Sequence, residues 1–180
     1  MASYNEGKAE VCDYILKLAK KKPMSSQFRI LDVGACDGKW ADLIQHSASL
    51  GYYPAIIMDA VEAFVPNAIG IETKYNHVYP YEIQGFTYRR GVYDLALFGD
   101  VIEHMTVQDA QKVLTYALSR CSEVIVGVPF QYPQGAIYGN PYEIHIQDDL
   151  TPALFEERYP GFEMFLRPKH DYAYYRRATK

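Results

Sequence analysis

The chain has 180 residues, 49% of them hydrophobic and 22% charged, with a formal net charge of −4. Such a length and balance suit one domain, spanning residues 1–180, with a sizeable apolar core. The negative sign argues against broad binding to nucleic acid or anionic membranes. Three cysteines, at positions 12, 36 and 121, have neither metal-finger spacing nor the even number of a disulfide framework. The first residues lack the continuous apolar core of a signal peptide, and no run approaches the roughly 18 residues of a membrane span, so a cytoplasmic protein that binds no membrane is expected.

In chain order, residues 6–21 carry apolar side chains at Val11, Tyr14, Ile15 and Leu18, with lysines gathering at the end, and predict an amphipathic helix. Residues 28–33 predict a strand. Residues 40–50 predict a helix that turns Ala41, Leu43, Ile44 and Ala48 inward. A second strand over 55–61 leads to a short helical or looped piece through Ile69, then a weak third strand at 76–79. A fourth strand at 93–98, a helix at 105–119 and a fifth strand at 123–128 follow, the last with the continuously apolar pattern of a buried parallel strand. Strands alternating with helices imply an α/β, Rossmann-like, doubly wound and mostly parallel sheet, whose ligands bind beyond the strands' carboxyl ends. Residues 130–149 are rich in Pro, Gly, Tyr and Asn and predict a long ordered loop over that end. Thr151 reads as an N-cap with Pro152 at the first helical turn, and residues 163–166 and 172–177 read as a closing antiparallel strand pair. Seventeen tyrosines suit edge strands and interfaces more than a substrate surface.

The turn after the first strand, Asp32-Val-Gly-Ala-Cys-Asp-Gly38, is the most informative segment. Gly34 and Gly38 permit conformations closed to other residues, and the following helix presents free N–H groups to a ligand. Asp32 would repel a phosphate, and the lysine-serine pair of a P-loop is missing. The segment resembles the first motif of class I S-adenosylmethionine (SAM) methyltransferases, with Cys36 at the middle glycine, a substitution compatible with negative φ there. Further segments in the family's order extend the resemblance over residues 28–151.

The resemblance implies SAM as cofactor, held at Asp32, Gly34, Ala35 and Gly38, with an acidic residue after the second strand accepting from both ribose hydroxyls. Glu62 fills that role, with Asp59 the runner-up. Glu82 and Ile83 correspond to the acidic and apolar residues beside the adenine, and Asp100 to the position beside the methionine end and the methyl acceptor. If residues 100–104 begin a helix, Asp100, Glu103 and His104 project from one side at i, i+3 and i+4, and the loop after the fifth strand brings His145 over them. This acidic and histidine set resembles the divalent-cation site of small-RNA 2′-O-methyltransferases, while ubiquinone-pathway O-methyltransferases share the short D-V-x-E-H segment. Mg²⁺, Mn²⁺ and Zn²⁺ are each compatible with mixed carboxylate and imidazole ligands. Metal-free general base catalysis by His104 or His145, and a purely structural role for the Glu103-His104 pair, stay open beside it.

The loop segment Y-P-Q-G…G-N-P-Y-E-x-H resembles a group of small bacterial and viral methyltransferases, with Tyr132, Tyr142 and Glu143 as candidate acceptor contacts. The expected reaction is transfer of a methyl group from SAM to an oxygen, less readily a nitrogen, of a small or partner-presented acceptor, with His104, His145 and Glu103 as catalytic candidates. An RNA acceptor, and a degenerate SAM-binding or assembly module, are the alternatives. The basic, aromatic run at 167–177 is a candidate nucleic-acid track, though solvated charges on a terminal strand explain it as well.

Overall fold

The computed structural model describes residues 6–87 and 93–179. Its elements are α1 (Lys8–Ala19), β1 (Gln27–Val33), α2 (Lys39–Ser49), β2 (Ala55–Val61), α3 (Val65–Gly70), β3 (His77–Tyr79), β4 (Tyr93–Gly99), α4 (Val107–Leu118), β5 (Cys121–Pro129), α5 (Pro152–Arg158), β6 (Glu163–Lys169) and β7 (Tyr172–Ala178). Single 3₁₀ turns at Ile83–Gly85, Ile102–His104 and Pro141–Glu143 stand in the loops between them.

The strands form one sheet in the order β3-β2-β1-β4-β5-β7-β6. From β3 to β5 it is parallel, with Ala55 opposite Gln27 and Val61 opposite Val33, and with Gly99 opposite Gly127 on the far side. The chain winds outward from β1 in one direction and from β4 in the other, so β1 and β4 are neighbours that diverge into different loops. That reversal opens a crevice at their carboxyl ends. The weak third strand exists and pairs in parallel with β2 through three residues.

Side-chain alternation along β4 divides the core. Leu95 and Leu97 pack with α1 and α2, alongside Val11, Ile15, Trp40 and Ile44. Ala96 and Phe98 pack with α4 and α5, alongside Ala110, Leu114 and Phe155. The closing pair is antiparallel as expected, but β7 inserts between β5 and β6 and pairs with β5 from Glu123 to Pro129. Burial explains the order. Tyr172, Ala173, Tyr174 and Tyr175 are fully buried, whereas β6 has only exposed and half-buried positions and suits a sheet edge.

The predicted helix at 105–119 begins later, at Val107, because Thr106 caps it by accepting the Asp109 N–H at 3.1 Å. The residues before it form the separate 3₁₀ turn Ile102–His104, and Asp100 has φ 58°. The helical i, i+3, i+4 projection expected for Asp100, Glu103 and His104 is therefore corrected. Thr151 caps α5 as predicted, its hydroxyl accepting the Leu154 N–H at 3.2 Å.

Candidate active site

A cavity opens at the carboxyl ends of β1, β2 and β4, beneath the loop that follows β5. On one side lies the turn after β1. Gly34 has φ +68°, and a Cβ there would stand 2.5 Å from Val101 Cγ2, so the turn and the β4 loop meet only across a glycine. Gly38, at φ 78°, precedes α2 as its N-cap, and Ala35 is buried against the cavity. Cys36 has φ 49°, not the negative value that a cysteine would favour. Burial pushes its thiol up to about 11, which leaves it a poor nucleophile.

Glu62 follows β2, is buried, and lines the cavity. Its Oε2 accepts the Cys36 N–H and its Oε1 the Phe64 N–H, each at 2.8 Å. Each oxygen keeps a lone pair, which is what two adjacent hydroxyls require. Burial pushes Glu62 above the usual carboxylate range while these two bonds hold it down. Asp59, the runner-up, lies three residues earlier, inside β2, and accepts the Tyr93 hydroxyl at 2.8 Å and the Arg29 guanidinium at 3.3 Å. It does not line the cavity. Glu82 and Ile83 do line it, with the Tyr142 hydroxyl 3.4 Å from Glu82 Oε1 across the mouth.

Asp32 departs from expectation: it is buried below the turn and absent from the cavity wall. Its Oδ2 accepts the Tyr75 hydroxyl at 2.5 Å, and burial pushes its carboxyl up to about 7. Two neighbours escaped the sequence reading. Lys8 of α1 is buried with its ammonium 4.3 Å above the Trp40 ring; burial lowers its pKa, while Asp100 and Asp32 act to raise it. Its signal was its place on the buried stripe of α1, four residues before Cys12 and seven before Ile15. Trp40 lines the cavity, and a Cβ on Gly99 would meet its Nε1 at 2.5 Å.

Elsewhere on the cavity wall, Glu103, His104 and His145 each offer one atom able to hold a metal ion, all within 4.8 Å of one another. Asp100 lines the same cavity but stands outside this trio. His104 Nδ1 lies 3.1 Å from the Ile144 carbonyl and His145 Nδ1 lies 2.5 Å from the Tyr132 carbonyl. A carbonyl only accepts, so both rings carry their proton on Nδ1, and both Nε2 atoms keep a lone pair. Glu103 is 1% exposed, and neither carboxylate oxygen has a hydrogen-bond partner of good geometry among the described residues. Burial first, and Asp100 second, push its pKa well above the usual range; burial lowers both histidines. An orphaned buried carboxylate beside two imidazoles held from behind by carbonyls is a donor set suited to a divalent cation.

Non-glycine residues with left-handed backbone concentrate here. Cys36, Asp100, Gln131 and Tyr138 all lie in loops framing the cavity. Such conformations persist where the surrounding structure enforces them, and they cluster at functional sites.

No protein-family model and no curated protein matches the chain. Solved structures match its fold. The N-terminal domain of EvdMO1 with SAH bound, SAH being the demethylated form of SAM, superposes with a TM-score of 0.66 at 12% identity, covering 99% of this chain and 83% of that one. The CurJ carbon methyltransferase gives 0.67 at 11% identity over 96% of this chain, and the small RNA methyltransferase HEN1 gives 0.67 at 15% over 96%. The chain spans 54% of the CurJ chain and 25% of the HEN1 chain. The last two are named for different targets, carbon and small RNA, so the likeness speaks to architecture and not to substrate. A crevice where parallel strands diverge, closed on one edge by an antiparallel pair, is the arrangement of the class I SAM-dependent methyltransferase fold, and this chain adopts it.

Proposed function

We propose that the protein transfers a methyl group from SAM to an oxygen of a small or partner-presented acceptor, nitrogen being the less favoured atom. One observation carries the reading: the Glu103, His104 and His145 trio shares a cavity with the Gly34 turn and Glu62. In this reading Glu62 holds the ribose hydroxyls, Glu82 and Ile83 flank the adenine, and Asp100 stands at the methionine end. The acceptor oxygen attacks the methyl carbon in line with the carbon–sulfur bond, whose electron pair returns to sulfur and neutralises the sulfonium. Most of the acceleration comes from aligning the two reactants. The trio would hold a divalent cation, which supplies the lowering of a hydroxyl pKa. Without one, an Nε2 of His104 or His145 is the basic atom that takes the acceptor's proton.

The charge of the wall supports a neutral or cationic acceptor over a phosphodiester. Among the described residues, Asp37, Glu62, Glu82, Asp100, Glu103 and Glu143 line the cavity against a single lysine, Lys39, which is itself 3.6 Å from Asp37. Calorimetry with SAM and SAH tests the cofactor half. Glu62→Ala is expected to weaken SAM at least about tenfold, as loss of hydrogen bonds to a charged group does. Unchanged affinity removes Glu62 from the ribose role. For the acceptor half, SAH release on adding small-molecule extracts is expected to stop with a chelator and return with Mn²⁺; activity indifferent to chelation leaves the imidazole base.

A further inference from the structure

Gln147, at the base of the loop over the site, is 3% exposed and has every hydrogen-bonding position of its amide engaged. Its Nε2 donates to the Ile102 carbonyl at 2.7 Å and to the Met105 carbonyl at 3.2 Å, which bracket the short turn bearing Glu103 and His104. Its Oε1 accepts the Tyr159 hydroxyl at 2.8 Å and an Arg158 N–H at 3.3 Å, both from the end of α5. Arg158 in turn grips Asp149 through two N–H groups at 2.8 and 2.5 Å. The main chain joins in: the N–H groups of Ile146 and Gln147 both donate to the Glu103 carbonyl, at 2.8 and 2.9 Å.

These bonds tie three segments that are remote in sequence to one point. His145 lies two residues before Gln147, and its own N–H and ring are held by the carbonyls of Gln134 and Tyr132. Its ring meets that of His104 edge-on with centroids 4.8 Å apart. We infer that Gln147 is a positioning residue for the Glu103, His104 and His145 trio: it fixes the distance between the loop that carries His145 and the turn that carries the other two. Only a primary amide does this. Glutamate would set a negative charge against two carbonyls, and leucine or methionine would strand two carbonyls and a tyrosine hydroxyl.

The inference rests on the reading that the trio holds a divalent cation, and one set of measurements separates the two. Co²⁺ is titrated into the intact protein and into Gln147→Met and Tyr159→Phe, following the d–d absorption. In parallel, ¹⁵N imidazole spectra of the metal-free proteins report tautomers, and SAH calorimetry reports folding of the cofactor half. Gln147→Met is expected to bind Co²⁺ about 10- to 100-fold more weakly, and Tyr159→Phe a few-fold more weakly. SAH affinity stays within about twofold, and the histidine spectra of Gln147→Met lose the uniform Nδ1–H tautomer. If the unaltered protein binds no Co²⁺, the cation reading fails and the tautomer spectra alone decide the role of Gln147. Unchanged tautomers and unchanged Co²⁺ affinity in whichever variants retain SAH binding overturn the inference; if Gln147→Met does not fold, Tyr159→Phe decides it.

Discussion

Cys36 occupies a left-handed backbone position, φ 49°, in the turn against which the cofactor would lie. An L-residue there costs about 1 kcal/mol over glycine. It is tolerated because its N–H is bound to Glu62 and its Sγ sits 3.8 Å from the Asn67 amide. Cys36→Gly is therefore expected to raise stability by up to about 1 kcal/mol, or about 2–4 °C in melting temperature at this size, without weakening SAM in calorimetry. A fall in either quantity would show that the thiol contacts outweigh the strain. Asp32 makes a pH prediction. Its folded pKa of about 7 lies above the 3.8 of an ordinary aspartate, so its contribution to stability is full below that lower value and is lost as pH rises toward 7. Urea unfolding of the protein and of Asp32→Asn at pH 5 and pH 8 should show the gap between them shifting by roughly 2 kcal/mol in favour of the variant at the higher pH.

Among the elements, β7 departs most from a reading by propensity alone. As a sequence, YAYYRRA is an ordinary terminal strand ending in charge. In place it is an interior strand, with Tyr172, Tyr174 and Tyr175 fully buried and Tyr175 stacked on Phe155 at 3.7 Å between centroids. Arg176, from the run read as a candidate nucleic-acid track, donates at 2.5 Å to the Tyr14 hydroxyl, which itself donates to Glu123, and so is engaged within the protein. Removing residues 163–179 would expose one whole edge of β5 together with both faces of the core beside it. Such a truncation is expected to lose the cooperative thermal transition in circular dichroism; a sharp transition would mean that β1 to β5 fold alone.

At the scale of the whole molecule, local physics was legible in the sequence. Apolar periodicity located β2 to the residue and most other elements to within one or two, because the pattern is set by which face of each element is buried. The glycines around position 36 marked the tight turn after β1 because few other residues can take that path. Asp59 and Glu62 are both acids at one strand end, and nothing local distinguishes them; only the approach of Arg29 and Tyr93 to the first and of the Cys36 N–H to the second does. Asp100 and Glu103 likewise share a short segment, yet a left-handed residue and a 3₁₀ turn point only Glu103 into the trio. The sequence by itself determined the alternation of strands and helices, the turn at Gly34 and the chemistry available at each position, since these depend on neighbours along the chain. The tertiary structure decided which carboxylates face the cavity, that β7 lies inside β6, and that His145 meets His104 through Gln147, because those outcomes depend on burial and on hydrogen bonds between segments 26 or more residues apart.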